Sequence, residues 1–200
     1  MSLMPSAEGD LVFDREKSVR VEGGFLSRIF SGGGGGEKQA QLLIKKAEAA
    51  LADNDYRDAR STYNKIAKRF PVEKVETGDG RKVYAAAEAL YQTALLRERN
   101  SQWEKAFNAL QKVIDKYPSY DFDKVIDAQI QIATKLGQGA RTRIFRVIPG
   151  FRNLGKAREF HKKIAENARG PEYAPAALMK AAEIALGDNE QVEAIDSLER

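Results

Sequence analysis

Small, large and aliphatic side chains recur at fixed spacing in two segments of the chain. The first segment reads Ala59-x3-Tyr63-x2-Ile66-x4-Pro71, and the second reads Ala106-x3-Leu110-x2-Val113-x4-Pro118. Residues three, four and seven positions apart share one face of an α-helix, and proline ends such a helix. Small residues beside large ones let two helices approach closely. The pattern therefore predicts paired helices that repeat after 47 residues.

A small–large–aliphatic–proline pattern on paired helices resembles the tetratricopeptide repeat. We predict an all-α fold, a tetratricopeptide-like superhelix that forms a right-handed solenoid of helix pairs. The four pairs are expected at residues 37–71, 82–118, 120–171 with an insert at 137–155, and 172–200. The helical pattern of the fourth pair continues up to the last residue, so we expect the fourth pair to be incomplete.

Turn and capping signals give finer expectations for the second pair. Residues 72–81 are polar and contain two glycines, which predicts a loop. The first helix of the pair is expected at 82–99. Ser101, followed three residues later by Glu104, predicts a capping box for the second helix. The turn Asp53-Asn54-Asp55 is predicted to cap the second helix of the first pair, and either Asp121 or Asp123 is predicted to cap the first helix of the third pair.

Residues 1–36 differ in character from the rest of the chain. Short apolar groups at 11–13 and 25–30 precede a run of five glycines that ends at Gly36. Glycine runs make flexible joints. This N-terminal arm is either loosely ordered, as chain termini usually are, or docks on the repeats or on a partner.

Composition narrows the class of protein. Apolar residues make up 42% of the sequence, but no run reaches the roughly 18 apolar residues of a membrane-spanning helix. There is no cysteine, which excludes disulfides and thiolate metal sites. A net charge of +4 permits an anionic partner without demanding one. His161 is the only histidine, and we interpret it as an ordinary surface or partly buried helix residue.

Motifs for catalysis do not stand out in the sequence. The glycine run at 32–36 lacks the Lys-Ser/Thr pair of a phosphate-binding loop. No Ser/His/Asp order accompanies His161, the only possible base of its kind. We therefore predict a non-catalytic protein that needs no cofactor or metal.

The first helices of a helix-pair solenoid line its inner face. Their central small residues are Ala47, Ala94, Ala133 and Ala182. The residues three positions earlier, predicted to point into an inner groove, are Ile44, Tyr91, Ile130 and Met179. Glu88 and Asp127 are expected as acidic flanks. An apolar floor with acidic flanks suits an extended or helical peptide, while simple packing between helices is the alternative role.

The insert is strongly basic. Nine Lys or Arg residues and one acid lie between Lys135 and Lys163. The residues that make it a candidate docking surface are Arg141, Arg143, Phe145, Arg146 and Arg152. The segment is either a solvated loop with a few apolar anchors or a contact for a partner protein or an anionic lipid surface. Nucleic acid is a third possibility, but no recognised binding module accompanies the segment, and we predict no nucleic-acid partner.

The order of motifs resembles the outer-membrane assembly lipoproteins of the BamD/YfiO type, a branch of the tetratricopeptide-like proteins. The resemblance covers residues 37–200 and rests on the two repeat segments and on two further stretches. These are Phe122-Asp123-x-Val125-Ile126-x-Ala128-Gln129 and Asn167-Ala168-x-Gly170-Pro171-x-Tyr173-Ala174-Pro175. The family carries a lipidated cysteine at its mature N-terminus, which this sequence lacks.

The resemblance implies a protein-binding scaffold outside the cytoplasm that helps to assemble outer-membrane β-barrels. Its partners would be proteins or peptides, including outer-membrane assembly subunits, and the insert would supply any contact with a membrane surface. The expected location is the periplasm or the outer membrane, with the cytoplasm as the alternative. The alternative function is a generic tetratricopeptide adaptor with an unrelated protein partner.

Overall fold

The computed structural model describes residues 35–140, 152–168 and 173–199, together with the backbone of the strand residues at 143–144 and 148–149. Residues 36–200 form a compact unit of their own. Across the ranges described, no helix combines the length and the apolar character that crossing a membrane requires.

Eight α-helices account for most of the described residues. They are α1 (Gly35–Ala52), α2 (Tyr56–Arg69), α3 (Ala85–Arg99), α4 (Trp103–Lys116), α5 (Phe122–Gly137), α6 (Leu154–Asn167), α7 (Tyr173–Gly187) and α8 (Gln191–Leu198). Helices α1 and α2 share one core cluster, and each helix from α2 onward packs on the next. The described part of the chain is therefore an all-α stack of helix pairs, which we number pairs 1 to 4.

A buried alanine stands at the same place in every helix of the stack. In the first helices these are Ala47, Ala94, Ala133 and Ala182, and in the second helices they are Ala59, Ala106, Ala157 and Ala194. Each is at most 3% exposed. Only a small side chain leaves room for two helix backbones to approach closely, which is why the position repeats.

Four residues after the alanine of each second helix comes a position that takes a large side chain. Tyr63, Leu110 and His161 occupy it in pairs 1, 2 and 3, and all three are at most 2% exposed. Leu198 occupies it in pair 4 and is 63% exposed. The interpretation of His161 as a surface or partly buried residue is wrong, because its side chain is 2% exposed and packs inside the stack.

Two large core clusters divide the helix stack. One joins α1 and α2 to one side of α3 and includes Ile44, Tyr63 and Ile66. The other runs from the opposite side of α3 to α7 and includes a parallel stack of Phe107 on Phe160, with ring centroids 3.9 Å apart. Helix α3 is consequently the most deeply buried element, since it contributes to both clusters.

A β-hairpin precedes α3 where the sequence predicts a loop and an early helix start. Strands β1 (Lys74–Glu76) and β2 (Lys82–Tyr84) pair antiparallel, with Val75 opposite Val83. The helix expected at 82–99 therefore begins three residues later, at Ala85. The strands are too short for their alternation of apolar residues to stand out in the sequence, and Val75 is held by burial in the core.

Side chains of two first helices hold this hairpin in place. The amide of Gln41 on α1 donates to the Glu76 carbonyl at 2.9 Å and accepts from the Glu76 N–H at 2.7 Å. Arg81 in the hairpin loop reaches the Asp121 carboxylate at 2.9 Å, directly before α5. The hairpin thus bridges α1 and the start of α5, on either side of α3.

The helix caps agree with the predictions from the sequence at two places and differ from them at a third. Asp55 accepts from the Asp58 N–H, and Asp121 accepts from the Lys124 N–H, as the capping predictions require. The capping box at Ser101 is wrong. Ser101 has a φ of 54° and lies in the turn, and the helix is preceded by Gln102 without a side-chain cap. A backbone in the left-handed region cannot place the serine hydroxyl as an N-cap does.

The insert after α5 contains a short antiparallel ladder. Strand β3 (Arg143–Ile144) pairs with β4 (Ile148–Pro149). At the base of the insert Arg152 is exposed and lies against Gly139, whose φ is 85°. A Cβ on Gly139 would come within 3.0 Å of the Arg152 Nε, so glycine suits both the backbone and the contact.

Several predicted residues fall outside the described part of the chain. These are Arg141, Phe145, Arg146, the side chain of Arg143, and the arm at 1–34. The docking role of the insert and the two interpretations of the arm therefore stay predictions.

Candidate peptide-binding groove

A cavity of about 450 Å³ opens where the C-terminal ends of α1, α3 and α5 meet the starts of α2 and α4. Its lining residues, which we call the groove, are Leu51, Tyr56, Gln92, Leu95, Leu96, Glu98, Arg99, Trp103, Gln131 and Lys135. Most of the lining residues belong to the first helices of pairs 1 to 3, and Tyr56 and Trp103 begin second helices. We call this surface the inner face, after the surface that first helices line in a helix-pair solenoid.

The groove combines apolar and aromatic surface with charges that already have partners. Arg99 lies over the Tyr56 ring at 4.1 Å. Lys135 pairs with Glu98 at 2.6 Å. Tryptophan, tyrosine and arginine are the side chains that most often dominate binding energy at protein interfaces. The arrangement suits a polypeptide more than a small charged metabolite.

Two acidic side chains of the first helices interact with each other: Glu88 in the first turn of α3 and Glu48 near the C-terminal end of α1. Glu88 on α3 is buried, accepts from the Tyr120 hydroxyl at 2.7 Å and accepts from the Gln92 amide at 2.7 Å. Burial raises the pKa of Glu48 on α1, and the negative charge of Glu88 raises it further. Gln92 therefore connects Glu88 to the groove.

Two predicted groove residues lie beneath the inner face. Tyr91 is buried beside Tyr120, with ring centroids 6.0 Å apart, and the Lys124 ammonium lies 4.5 Å from its ring. Glu88 joins the same cluster through Tyr120. The structure thus brings Glu88 and Tyr91 together, as one buried polar and aromatic cluster under the inner face.

The other predicted residues lie apart from one another. Ile44 is 1% exposed in the core of pair 1, so the expectation that its side chain lines a groove is wrong. Ile130 is half-buried against the larger core cluster. Asp127 and Met179 are exposed, and neither lines the groove. For these last three residues a peptide contact stays a prediction.

The groove residues that sequence reasoning missed lie one position along the helix from the predicted ones. Gln92 and Gln131 follow directly after the predicted Tyr91 and Ile130. One residue turns the side chain by about 100°, enough to move it from the helix interface to the open face. The signal in the sequence was the mixed polarity of one face of α3. Gln92, Leu95 and Arg99 share that face by their spacing, and two of the three are polar.

A second cavity, of about 330 Å³, lies between α5, α6 and α7. Its lining includes Thr134, Leu154, His161 and Ile184, with Lys180 and Glu183 as the charged residues. Burial, together with a smaller contribution from the positive charge of Lys180, lowers the pKa of His161 to about 4, and Glu183 partly opposes this shift. The imidazole is therefore neutral at pH 7.

The two stretches that extend the family resemblance contact each other at two points. Near the start of α5, the Tyr173 hydroxyl donates to Asp123 at 3.1 Å, and the Tyr173 ring meets Phe122 edge to face. Further along, the Asn167 amide donates to the Gln129 side-chain oxygen at 3.5 Å, and both residues also donate to the side-chain oxygen of Gln111 on α4, at 2.7 and 3.1 Å. These residues thus tie α5 to α6 and α7 across the insert.

Metal-binding geometry is not found among the residues that the structure describes, since no three histidine or carboxylate side chains there converge on one point.

Comparison with known proteins identifies the repeat. A family model for the tetratricopeptide repeat matches residues 41–71 and 88–120. The chain has a tetratricopeptide-like helical repeat fold. The two matches cover most of pair 1 and nearly all of pair 2, and the fold class predicted from the sequence is confirmed. No curated protein matches the chain. Tetratricopeptide repeats commonly bind other proteins or peptides, which indicates an interaction scaffold.

Proposed function

We propose that the protein is a non-catalytic scaffold that binds polypeptide in the groove, outside the cytoplasm, during assembly of outer-membrane β-barrel proteins. The observation that carries the binding part is the groove itself. It presents leucines flanked by Tyr56 and Trp103 on the inner face of stacked repeats. Its cations, Arg99 and Lys135, are already engaged with Tyr56 and Glu98.

A polypeptide fits this chemistry for two physical reasons. The apolar floor around Leu51 and Leu95 rewards burial of apolar side chains from a partner. The amides of Gln92 and Gln131 lie beside it and can donate to or accept from a peptide backbone. An extended or helical segment supplies both kinds of group along one line.

The assembly role is supported by the family resemblance of residues 37–200. Its less generic residues, Phe122, Asp123, Gln129, Asn167 and Tyr173, form contacts between α5, α6 and α7. A generic adaptor with an unrelated partner agrees equally well with the repeats alone. The choice of peptide in the binding experiment separates the two functions.

Fluorescence anisotropy with labelled peptides tests the groove. One peptide copies the C-terminal strand of an outer-membrane β-barrel, and a scrambled version has the same composition. We expect Leu95→Glu to weaken binding by about tenfold or more, since a buried charge replaces an apolar contact at the centre of the groove. Leu42→Glu is the matched control, because Leu42 is exposed on α1 and does not line the groove.

Each outcome of this experiment has a distinct meaning. Unchanged binding by a folded Leu95→Glu protein, with folding checked by circular dichroism, would refute the groove as the binding site. Equal affinity for both peptides would favour the generic adaptor. Finding the product of the natural gene only in the cytoplasm, by cell fractionation, would exclude the assembly role.

A further inference from the structure

The second cavity occupies the same place in the repeat as the groove, one helix pair further along. Six groove positions have their counterparts there: Leu95 and Thr134, Glu98 and Gly137, Arg99 and Gln138, Trp103 and Leu154, Gln131 and Lys180, Lys135 and Ile184. Each counterpart has the same offset from the buried alanine of its helix. The second cavity therefore continues the inner face of the stack into pair 3.

Changes of residue size open this second cavity. Leu154 stands where the groove has the much larger Trp103, and Gly137 stands where it has Glu98. A Cβ at position 137 would lie 2.8 Å from the Ile184 Cδ1, so a larger residue there would displace Ile184. The space that the Trp103 indole fills in pair 2 is consequently left open in pair 3, between Leu154 and Ile184.

The imidazole of His161 lines this space, at a repeat position that an apolar side chain can fill. His161 replaces Leu110, which fills the large-residue position of pair 2. The imidazole lines the cavity, and its Nδ1 has no hydrogen-bond partner. Buried polar groups are nearly always paired, so an unpaired one beside a cavity points to a ligand. In a neutral imidazole one nitrogen donates and the other accepts, and a hydroxyl group can pair with either, because a hydroxyl both donates and accepts.

The charges around the cavity do not select a charged ligand. Lys180 and Glu183, the ionisable residues beside His161 in its lining, pair with each other at 2.6 Å. Lys180 lowers the pKa of His161 and Glu183 raises it, so their electrostatic effects at the imidazole oppose each other. A neutral group therefore enters at the lowest electrostatic cost.

We propose that the second cavity is a subsite for a phenol-type side chain of the bound polypeptide, with the ring between Leu154 and Ile184 and the hydroxyl hydrogen-bonded to His161. An aromatic ring takes the volume that Trp103 fills in the preceding pair. The hydroxyl satisfies the imidazole, which distinguishes the ligand from a purely apolar ring. The peptide part of this assignment rests on the proposed function, while the cavity chemistry does not.

Two small probes test the subsite without any peptide. Para-cresol carries the phenol of a tyrosine side chain, and toluene is the same ring and methyl group without the hydroxyl. In a ¹H–¹⁵N NMR titration of the full chain, we expect saturable shifts of the Gly137 and Gly187 amides. Para-cresol should bind about fivefold or more tightly than toluene, which is the usual net value of one hydrogen bond.

Two variants separate the hydrogen bond from the cavity. His161→Leu introduces the residue that pair 2 carries at this position, and it should bind both probes equally. Leu154→Trp restores the indole of pair 2 and should abolish binding of both. Absence of saturable shifts, equal binding by the unaltered protein, or a para-cresol preference that survives His161→Leu would each overturn the proposal.

Paired peptides then connect the subsite to the groove. A peptide bound by the protein should lose affinity about fivefold when its anchoring tyrosine is replaced by phenylalanine, and this loss should vanish in His161→Leu. A para-cresol preference without any peptide binding would reject the proposed function and retain the cavity as a phenol site. Peptide binding without a para-cresol preference would retain the proposed function and reject the cavity as a phenol site.

Discussion

Pairs 2 and 4 of the stack carry the same pattern of small and large residues but bury it to very different extents. Ala106 and Ala194 are both buried, yet Leu110 is fully buried and Leu198 is 63% exposed. Helices lie on both sides of pair 2, whereas the outer face of α8 also exposes Val192 and Ile195. The comparison shows that the repeat pattern specifies how two helices of a pair meet, and that neighbouring pairs decide whether the large residue is buried.

Truncation of the large residue is the strongest way to test this comparison. We expect Leu110→Ala to lower the free energy of unfolding by about 2–5 kcal/mol, because it leaves a cavity inside the larger core cluster. Leu198→Ala should change it by less than about 0.5 kcal/mol, since the leucine is already mostly in water. Urea unfolding measures both, and similar losses in the two variants would contradict the comparison.

Pair 3 extends the comparison, because its large residue is His161 and its effect on the free energy of unfolding depends on pH. The unfolded chain binds a proton at His161 near its ordinary pKa of 6.5, whereas the folded chain does so only near 4. Between these values the unfolded state holds more protons, so the free energy of unfolding falls as the pH is lowered. The loss should reach about 3 kcal/mol at pH 4 and be absent above pH 7.

His161→Leu provides the reference for that measurement. It removes the titrating ring and keeps every other ionisable group, including Glu48, whose pKa shifts upward and acts in the opposite sense. The difference between the two pH profiles therefore isolates His161. Parallel profiles between pH 4 and 7 would show that His161 has the same pKa in the folded and the unfolded protein, and would contradict the lowered pKa.

The smallest expected effect concerns the contact between the hairpin and α5. Asp121→Ala removes a helix cap and the Arg81 ion pair, and should cost about 1 kcal/mol, most of it from the cap. Asp55→Ala in pair 1 removes a cap of the same kind without a hairpin contact. Thermal unfolding of both variants compares them, and a loss several times larger for Asp121→Ala would assign most of the effect to the hairpin.

Much of the fold was predictable because its signals are local. The spacing of Ala59, Tyr63, Ile66 and Pro71 indicates the face and the end of one helix within a dozen residues. Aspartate caps at positions 55 and 121 follow from the same local logic. The hairpin at 74–84 escaped prediction because its support is distant, in the core around Val75 and in Gln41, 35 residues from Glu76.

The candidate site was predictable only to the level of the helix face. Sequence reasoning selected the first helices, which contribute Gln92, Leu95 and Gln131 to the groove, but the predicted Ile44 and Tyr91 are buried. A single residue of helix rotation separates these sets. Periodicity does not resolve that rotation when α3 is apolar on nearly every side, as a central helix must be.

The sequence by itself determined the helix pairs, their close alanine contacts and the all-α class, because these depend on residues a few positions apart. Tertiary structure decided which large residues are buried, where the hairpin attaches and which positions face the groove. It also placed His161 inside the stack beside an open cavity. These outcomes depend on neighbouring pairs that lie far away in sequence, so no local pattern could contain them.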